Sequence, residues 1–185
     1  MKTWHVWRVA VGFRTALYRV RQFVDAMLAH VSSEELREAD EMLAPGAREL
    51  YCKMSVPDQR HSLNVMRTLR RAGHTEADLL AAALLHDVAK SAAQIHSWHR
   101  ATIVLSKRFA PGLLAWLTHG EPHGWRRPFV IHRQHMEIGA QWAAQAGCSP
   151  LTVSLIRRHQ EPLRREPVGD EERLLIALQH ADGIN

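Results

Sequence analysis

Leu84-Leu85-His86-Asp87-Val88-Ala89-Lys90 sets an imidazole beside a carboxylate near the end of an almost wholly apolar run. Such a run predicts a buried helix over residues 79–88, and polar groups at a buried end must find partners. The pair alone means little in a chain with 13 histidines. Its weight comes from company at long range: His61 upstream, His135 and His159 downstream, and Asp182 close to the last residue. Each falls on a segment with helical spacing. Four imidazoles and two carboxylates are enough donors for two metal ions.

Outward from this stretch, nearly every segment reads as helix. Apolar residues at steps of three and four run from Val6 through Phe13, Leu17 and Val24 to Leu28, with Arg8, Arg14, Arg19 and Arg21 mostly off the stripe. This basic amphipathic helix, opened by Trp4 and Trp7, suits either packing on its own domain or peripheral contact with a membrane through residues 4–28. Ser32 with Glu35 forms a capping box for a second helix that Pro45-Gly46 closes, and a short helix follows through Leu50. Pro57 opens a helix over 58–71 that Gly73 ends; His61, Val65 and Leu69 share one of its faces. Residues 94–109 read as helix, Pro111-Gly112 breaks the chain before 113–117, and 120–128 form a Gly/Pro/Trp-rich loop. A helix over 130–146 stops at Gly147. Ser149-Pro150 starts another that carries His159, and Asp170-Glu171-Glu172 opens the last, with Asp182 near its apolar face. No segment alternates as a strand does. The expected fold is all-α and single-domain, with N-terminal helices in 1–55 packing on a core in 56–185.

At 185 residues the chain suits one core. Hydrophobic residues at 46% and charged residues at 23% are ordinary for a globular protein. The longest apolar run, 79–85, is too short to span a bilayer. No apolar block with a small-residue cleavage site follows the first residues, which speaks against a secretory signal. Cys52 and Cys148 make neither a metal pair nor a disulfide framework, so a reducing cytoplasm is expected. A net charge of +5 favours anionic partners. Arg157, Arg158, Arg164 and Arg165 flank His159, where a phosphate would need neutralising; a solvated basic surface is the alternative. No nucleic-acid-binding motif is present. There is also no phosphate-cradling Gly-rich loop and no G-x-S-x-G elbow, and His135-Met136-Glu137 lacks the P-C-x-x-C of zinc deaminases.

The residues from about 56 to 182 resemble the HD superfamily of metal-dependent phosphohydrolases. Leu84-Leu85-His86-Asp87-Val88-Ala89-Lys90 looks like its L-L-H-D-I-[GA]-K signature, and Asp58-Gln59-Arg60-His61-Ser62 like its opening "H-S" helix. His135-Met136-Glu137-Ile138-Gly139-Ala140 is similar to the "H-P-x-x-G-A" helix of the two-metal branch. Ile156-Arg157-Arg158-His159-Gln160-Glu161 looks like its "I-x-x-H-H-E", and Ala181-Asp182 like the closing "A-D". The resemblance implies an HD-type helical bundle. It also implies two metals and a phosphorylated substrate, small, anionic and nucleotide-like. Lys90 would meet substrate phosphate, helped by Arg60 or Arg158. Gln160 stands where the second His of "H-H-E" would be, and no G-Y-P follows, unlike the cyclic di-GMP phosphodiesterases. Small bacterial diadenosine tetraphosphate hydrolases share "L-L-H-D-x-A-K" but show H-T-x-G where this chain has His159-Gln160-Glu161-Pro162.

Imidazoles and carboxylates suit divalent iron or manganese, with cobalt, zinc, nickel and magnesium as further fits. The expected assignment gives His61, His86 and Asp182 to a first ion and His135 and His159 to a second. Asp87, with two oxygens, bridges both, and two such ions are the arrangement of two-metal hydrolysis. Each choice has a rival. His132 lies one turn before His135, nine other histidines have no role, and Lys90 could merely stabilise a helix end. The same ligand set also serves mixed-valent di-iron oxygenases, and a non-catalytic sensor or partner-binding module is a third possibility.

Overall fold

The computed structural model describes residues 30–93, 97–162 and 169–185. In chain order its helices are α1 (Ser33–Met42), α2 (Pro45–Cys52), α3 (Val56–Arg71), α4 (Ala77–Leu85), α5 (Ser97–Phe109), α6 (Pro111–Thr118), α7 (Arg127–Gln145), α8 (Pro150–Arg158) and α9 (Asp170–Ile184). Two 3-10 turns, Val88–Ala92 and Gly124–Arg126, complete the regular structure of the described residues. Among the described residues no strand occurs, and the chain is an all-α, single-domain helical bundle. The amphipathic segment 4–28, His96, Arg164 and Arg165 lie outside the described residues.

Local signals explain most boundaries. The Ser32 hydroxyl accepts from the Glu35 amide while the Glu35 carboxylate accepts from the Ser32 amide. Those two bonds satisfy donors that a helix start leaves unpaired. Pro45 differs from expectation. It opens α2 at its first position instead of closing α1, which ends at Met42, because proline's missing N–H and fixed φ suit a helix start. Gly73 and Gly147 take φ of +92° and +82° and end α3 and α7. The amide of His74 reaches back to the Leu69 carbonyl and that of Gly73 to the Arg70 carbonyl, the paired bonds of a left-handed helix stop.

α4 is the centre of the molecule. Leu79, Leu80, Ala82, Ala83, Leu84 and Leu85 are all buried, so the helix is apolar on every side and must be covered on every side. α3, α8 and α9 cover it, joined by α1 and α2. One contiguous core results, running from Leu43 and Tyr51 through Met66 and Leu85 to Ile156 and Leu178. Gly46 lets α2 approach the end of α7, since a Cβ there would lie 2.7 Å from the Ala146 carbonyl oxygen. A smaller apolar cluster of Ile103, Leu117 and Phe129 joins α5, α6 and α7 away from this core.

A candidate metal centre at the end of the buried helix

α4 ends at Leu85, three residues short of the helix expected over 79–88. His86 is its C-cap, and Asp87 leaves helical geometry at φ −103°, ψ 7°. The chain then tightens into the 3-10 turn Val88–Ala92, with the Lys90 amide donating to the Asp87 carbonyl at 2.9 Å. Successive side chains on a continuous α-helix point about 100° apart. The break at Asp87 instead lets His86 and Asp87 address one centre. α3 brings His61, α7 brings His135, α8 brings His159 at its C-cap, and the last turn of α9 brings Asp182.

These six residues meet in two groups. Ligand atoms of His61, His86 and Asp182 lie within 4.8 Å of one another, and so do those of Asp87, His135 and His159. Asp87 faces both. Its Oδ2 is 3.4 Å from His86 Nε2, and its Oδ1 is 3.5 Å from His135 Nε2 and 4.0 Å from His159 Nε2. On the other side, Asp182 Oδ1 is 2.9 Å from His61 Nε2 and 3.6 Å from His86 Nε2. The imidazoles follow one another edge to face, with centroids 5.3 Å apart for His61 and His86, 5.1 Å for His86 and His159, and 5.3 Å for His159 and His135.

Three of the imidazoles are oriented by one device. Nδ1 of His86, His135 and His159 lies 2.9, 2.5 and 2.7 Å from the carbonyl oxygens of Ala83, His132 and Ile156, each three residues earlier. A carbonyl can only accept, so Nδ1 carries a hydrogen in all three and Nε2 is the nitrogen that faces the centre. Backbone carbonyls hold metal-ligating imidazoles in this way.

Burial and charge then pull in opposite directions. His86, Asp87, His135 and His159 are at most 3% exposed. Burial pushes His135 down to about 3 and His159 down to about 4, so both stay neutral donors. Burial also opposes a charge on His86, but Asp87 and Asp182 outweigh it and raise that imidazole to about 10. Burial opposes ionisation of both carboxyls as well. Even so, Lys90 and His86 keep Asp87 well below its usual range, and His61 and His86 do the same for Asp182. The result is one buried carboxylate, Asp87, and one half-buried carboxylate, Asp182, that attract positive charge.

The donor set fits divalent cations. His86 Nε2, Asp87 Oδ1 and His159 Nε2 are buried and make no hydrogen bond. An unpaired buried polar atom costs about 1–3 kcal/mol, and more when charged. Here the three divide between the two groups, and a cation in each would satisfy them all.

The other expected residues sit differently. Lys90 folds back over the site and donates to Asp87 Oδ2, with its side chain 16% exposed. Arg60 points to α1, where it binds the Glu35 carboxylate and the His30 carbonyl. Arg158 is engaged by Glu161 and Glu171, with Glu172 3.9 Å away, and Arg157 by Glu137. The basic flank read around His159 is therefore matched by acids at both of its described arginines. The His132 ring stacks on His135 at 5.6 Å, and its carbonyl accepts from His135 Nδ1. Gln160 was absent from the expected set, yet its Nε2 lies 3.4 Å from His135 Nε2. Its sequence cue was its place after His159, where the family resemblance puts a second His.

The family model described as the HD domain matches residues 59–184, which takes in all six residues of the cluster. No curated protein and no solved structure matches the chain.

Proposed function

We propose, on the premise that the chain belongs to the HD domain family, that it is a two-metal phosphohydrolase acting on a small phosphorylated, nucleotide-like molecule. The family supports metal-dependent hydrolase chemistry; the second ion, the substrate class and the residue roles are our reading. The observation that carries it is Asp87, whose two oxygens face separate His/Asp groups. His61, His86 and Asp182 hold one ion in this reading, His135 and His159 the other, and Asp87 bridges them, with iron or manganese as the metal.

Two bound divalent ions supply Lewis-acid polarisation of a phosphoryl oxygen and ionise water near neutral pH. The protein contributes the rest. The carbonyls of Ala83, His132 and Ile156 fix the imidazoles, so little reorganisation is needed during reaction. Lys90 already neutralises an anionic oxygen at the partly open side of the site, which is the service a phosphate oxygen requires. Arg60 and Arg158 are paired with acids outside the cluster, whereas the acid that pairs with Lys90, Asp87, belongs to it, so Lys90 is the principal phosphate contact in this reading.

The test is turnover of a phosphoester and nucleotide panel by protein loaded with manganese or iron, with and without oxygen. Hydrolysis is expected with either metal in the absence of oxygen. Lys90→Met should retain both ions and lose about 10²-fold or more in turnover, because it removes a charge that counts most in the transition state. Turnover that needs iron and oxygen and ignores Lys90→Met would replace hydrolysis with di-iron oxygenation.

A further inference from the structure

α5, α6 and the turn Gly124–Arg126 stand apart from the metal centre, and their outer surface is unlike that of a solvated helix pair. Leu105 is 57% exposed, Phe109 74%, Leu113 48%, Trp116 54% and Trp125 63%. Single exposed apolar residues are ordinary, but five on two consecutive helices and the next turn form a patch of the kind that marks an interaction site. Two of them meet. The Trp116 and Trp125 rings are 6.0 Å apart, and the guanidinium of Arg126 lies 4.8 Å from the Trp116 ring centre. The guanidinium of Arg108 lies 5.3 Å from the Phe109 ring centre. Cations therefore rim the aromatic surface.

The charge of this region is distinctive. Residues 97–133 contain Arg100, Lys107, Arg108, Arg126, Arg127 and Arg133 against the single acid Glu121. That surplus of five equals the formal net charge of the whole chain, so the remaining residues balance to zero. Lys107, Arg108, Arg127 and Arg133 are exposed.

We propose that the face formed by α5, α6 and the Gly124–Arg126 turn docks on an anionic lipid surface. Headgroup anions meet Arg108 and Arg126 at the aromatic rings, while Leu105, Phe109 and Leu113 enter the acyl boundary and the tryptophans sit at the interface between them. Other occupants fit less well. A second copy joined through the same face would set this cationic surplus against itself. Residues 1–29 bring Lys2, Arg8, Arg14, Arg19 and Arg21 against Asp25, so they would be repelled by the face. A nucleic acid offers phosphates but nothing for leucine and phenylalanine side chains. Among the described residues no helix is long and apolar enough to cross a membrane, so the contact is peripheral.

The experiment is co-sedimentation of the full chain with vesicles of phosphatidylcholine alone or mixed with phosphatidylglycerol. Binding is expected to the mixed vesicles, to weaken as salt rises, and to fall about tenfold or more in Lys107→Glu/Arg108→Glu. Phe109→Ser/Trp125→Ser should weaken it comparably; if that variant melts early, the charge variant still decides, since its two residues are exposed. Arg14→Glu/Arg19→Glu should bind nearly as the unaltered chain does. The proposal fails if neither vesicle binds, or if only the Arg14/Arg19 variant loses binding. It also fails if duplex DNA or single-stranded RNA competes the protein off and shows the same dependence on Lys107 and Arg108.

Discussion

His132 and His135 sit one helical turn apart and stack on each other, yet their chemistry differs. His132 offers the centre a backbone carbonyl, which survives any side-chain change. His132→Ala should therefore leave metal content near two per chain, whereas His135→Ala should lower it to about one with the fold intact. Metal analysis of both purified variants checks this, and the reverse pattern would mean that the wrong imidazole was chosen. A second consequence concerns protons. His86 is held protonated up to about 10 by Asp87 and Asp182 despite its burial, and a cation must displace that proton. Loading should release about one proton per chain near neutral pH, and affinity should fall as pH falls. Calorimetric titrations in buffers of different ionisation enthalpy would show this as a buffer-dependent heat; equal heats would contradict it. The residues of the centre were legible from their order along the chain and from the family resemblance. The choice of nitrogen was not, because it depends on carbonyls three residues upstream that only a folded turn aims at Nδ1.

At the scale of elements, α1 is tied to α3 through one carboxylate. Glu35 closes the capping box with Ser32 and also binds Arg60 and Arg67. Arg60 first, then the Ser32 amide and Arg67, hold its carboxyl well below the usual range. A carboxyl lowered on folding adds stability above its unfolded value, near about 4.3, and that stability is lost as pH falls through and below it. Glu35→Gln keeps an acceptor for Ser32 but no charge, so its stability should depend less on pH between about 6 and 3. Glu35→Ala loses the cap as well and should cost about 1–2 kcal/mol at neutral pH. Urea melts across that range measure both, and parallel pH profiles for the unaltered and Gln chains would remove the carboxylate from the account. Caps of this kind made α1 and α8 readable in advance, and Pro57 with Gly73 did the same for α3. The end of α4 was not readable, since the apolar pattern continues into Val88 and Ala89 and hides the turn at Asp87. Pro45 was misread because a proline between two helices is equally compatible with stopping one and starting the next.

Across the whole molecule, the cluster draws on α3, the end of α4, α7, α8 and α9, and it joins His61 to Asp182 across 121 positions. An all-α bundle was legible from periodicity alone, but the convergence of five elements on one point was visible only through family likeness, because helical spacing says nothing of distant pairing. The convergence has a thermodynamic signature. Ions bound only by the folded chain stabilise it by about 2.7 kcal/mol per site at a hundredfold excess over Kd. For a chain of this length each kcal/mol shifts Tm by roughly 2–4 °C. Removing the metals with a chelator should thus lower Tm by about 5 °C or more for one occupied site, and further for two. His135→Ala should show a smaller loss on chelation than the unaltered chain, since it has one fewer ion to give up, and readdition of manganese should restore each chain to its own starting point. A structural cluster of hydrogen-bonded histidines would behave otherwise: chelation would leave Tm unchanged, and His135→Ala would be destabilised equally with and without metal. The unpaired Asp87 Oδ1 and the two unpaired Nε2 atoms argue against that outcome, because buried groups left in this state weaken a fold unless something positive joins them.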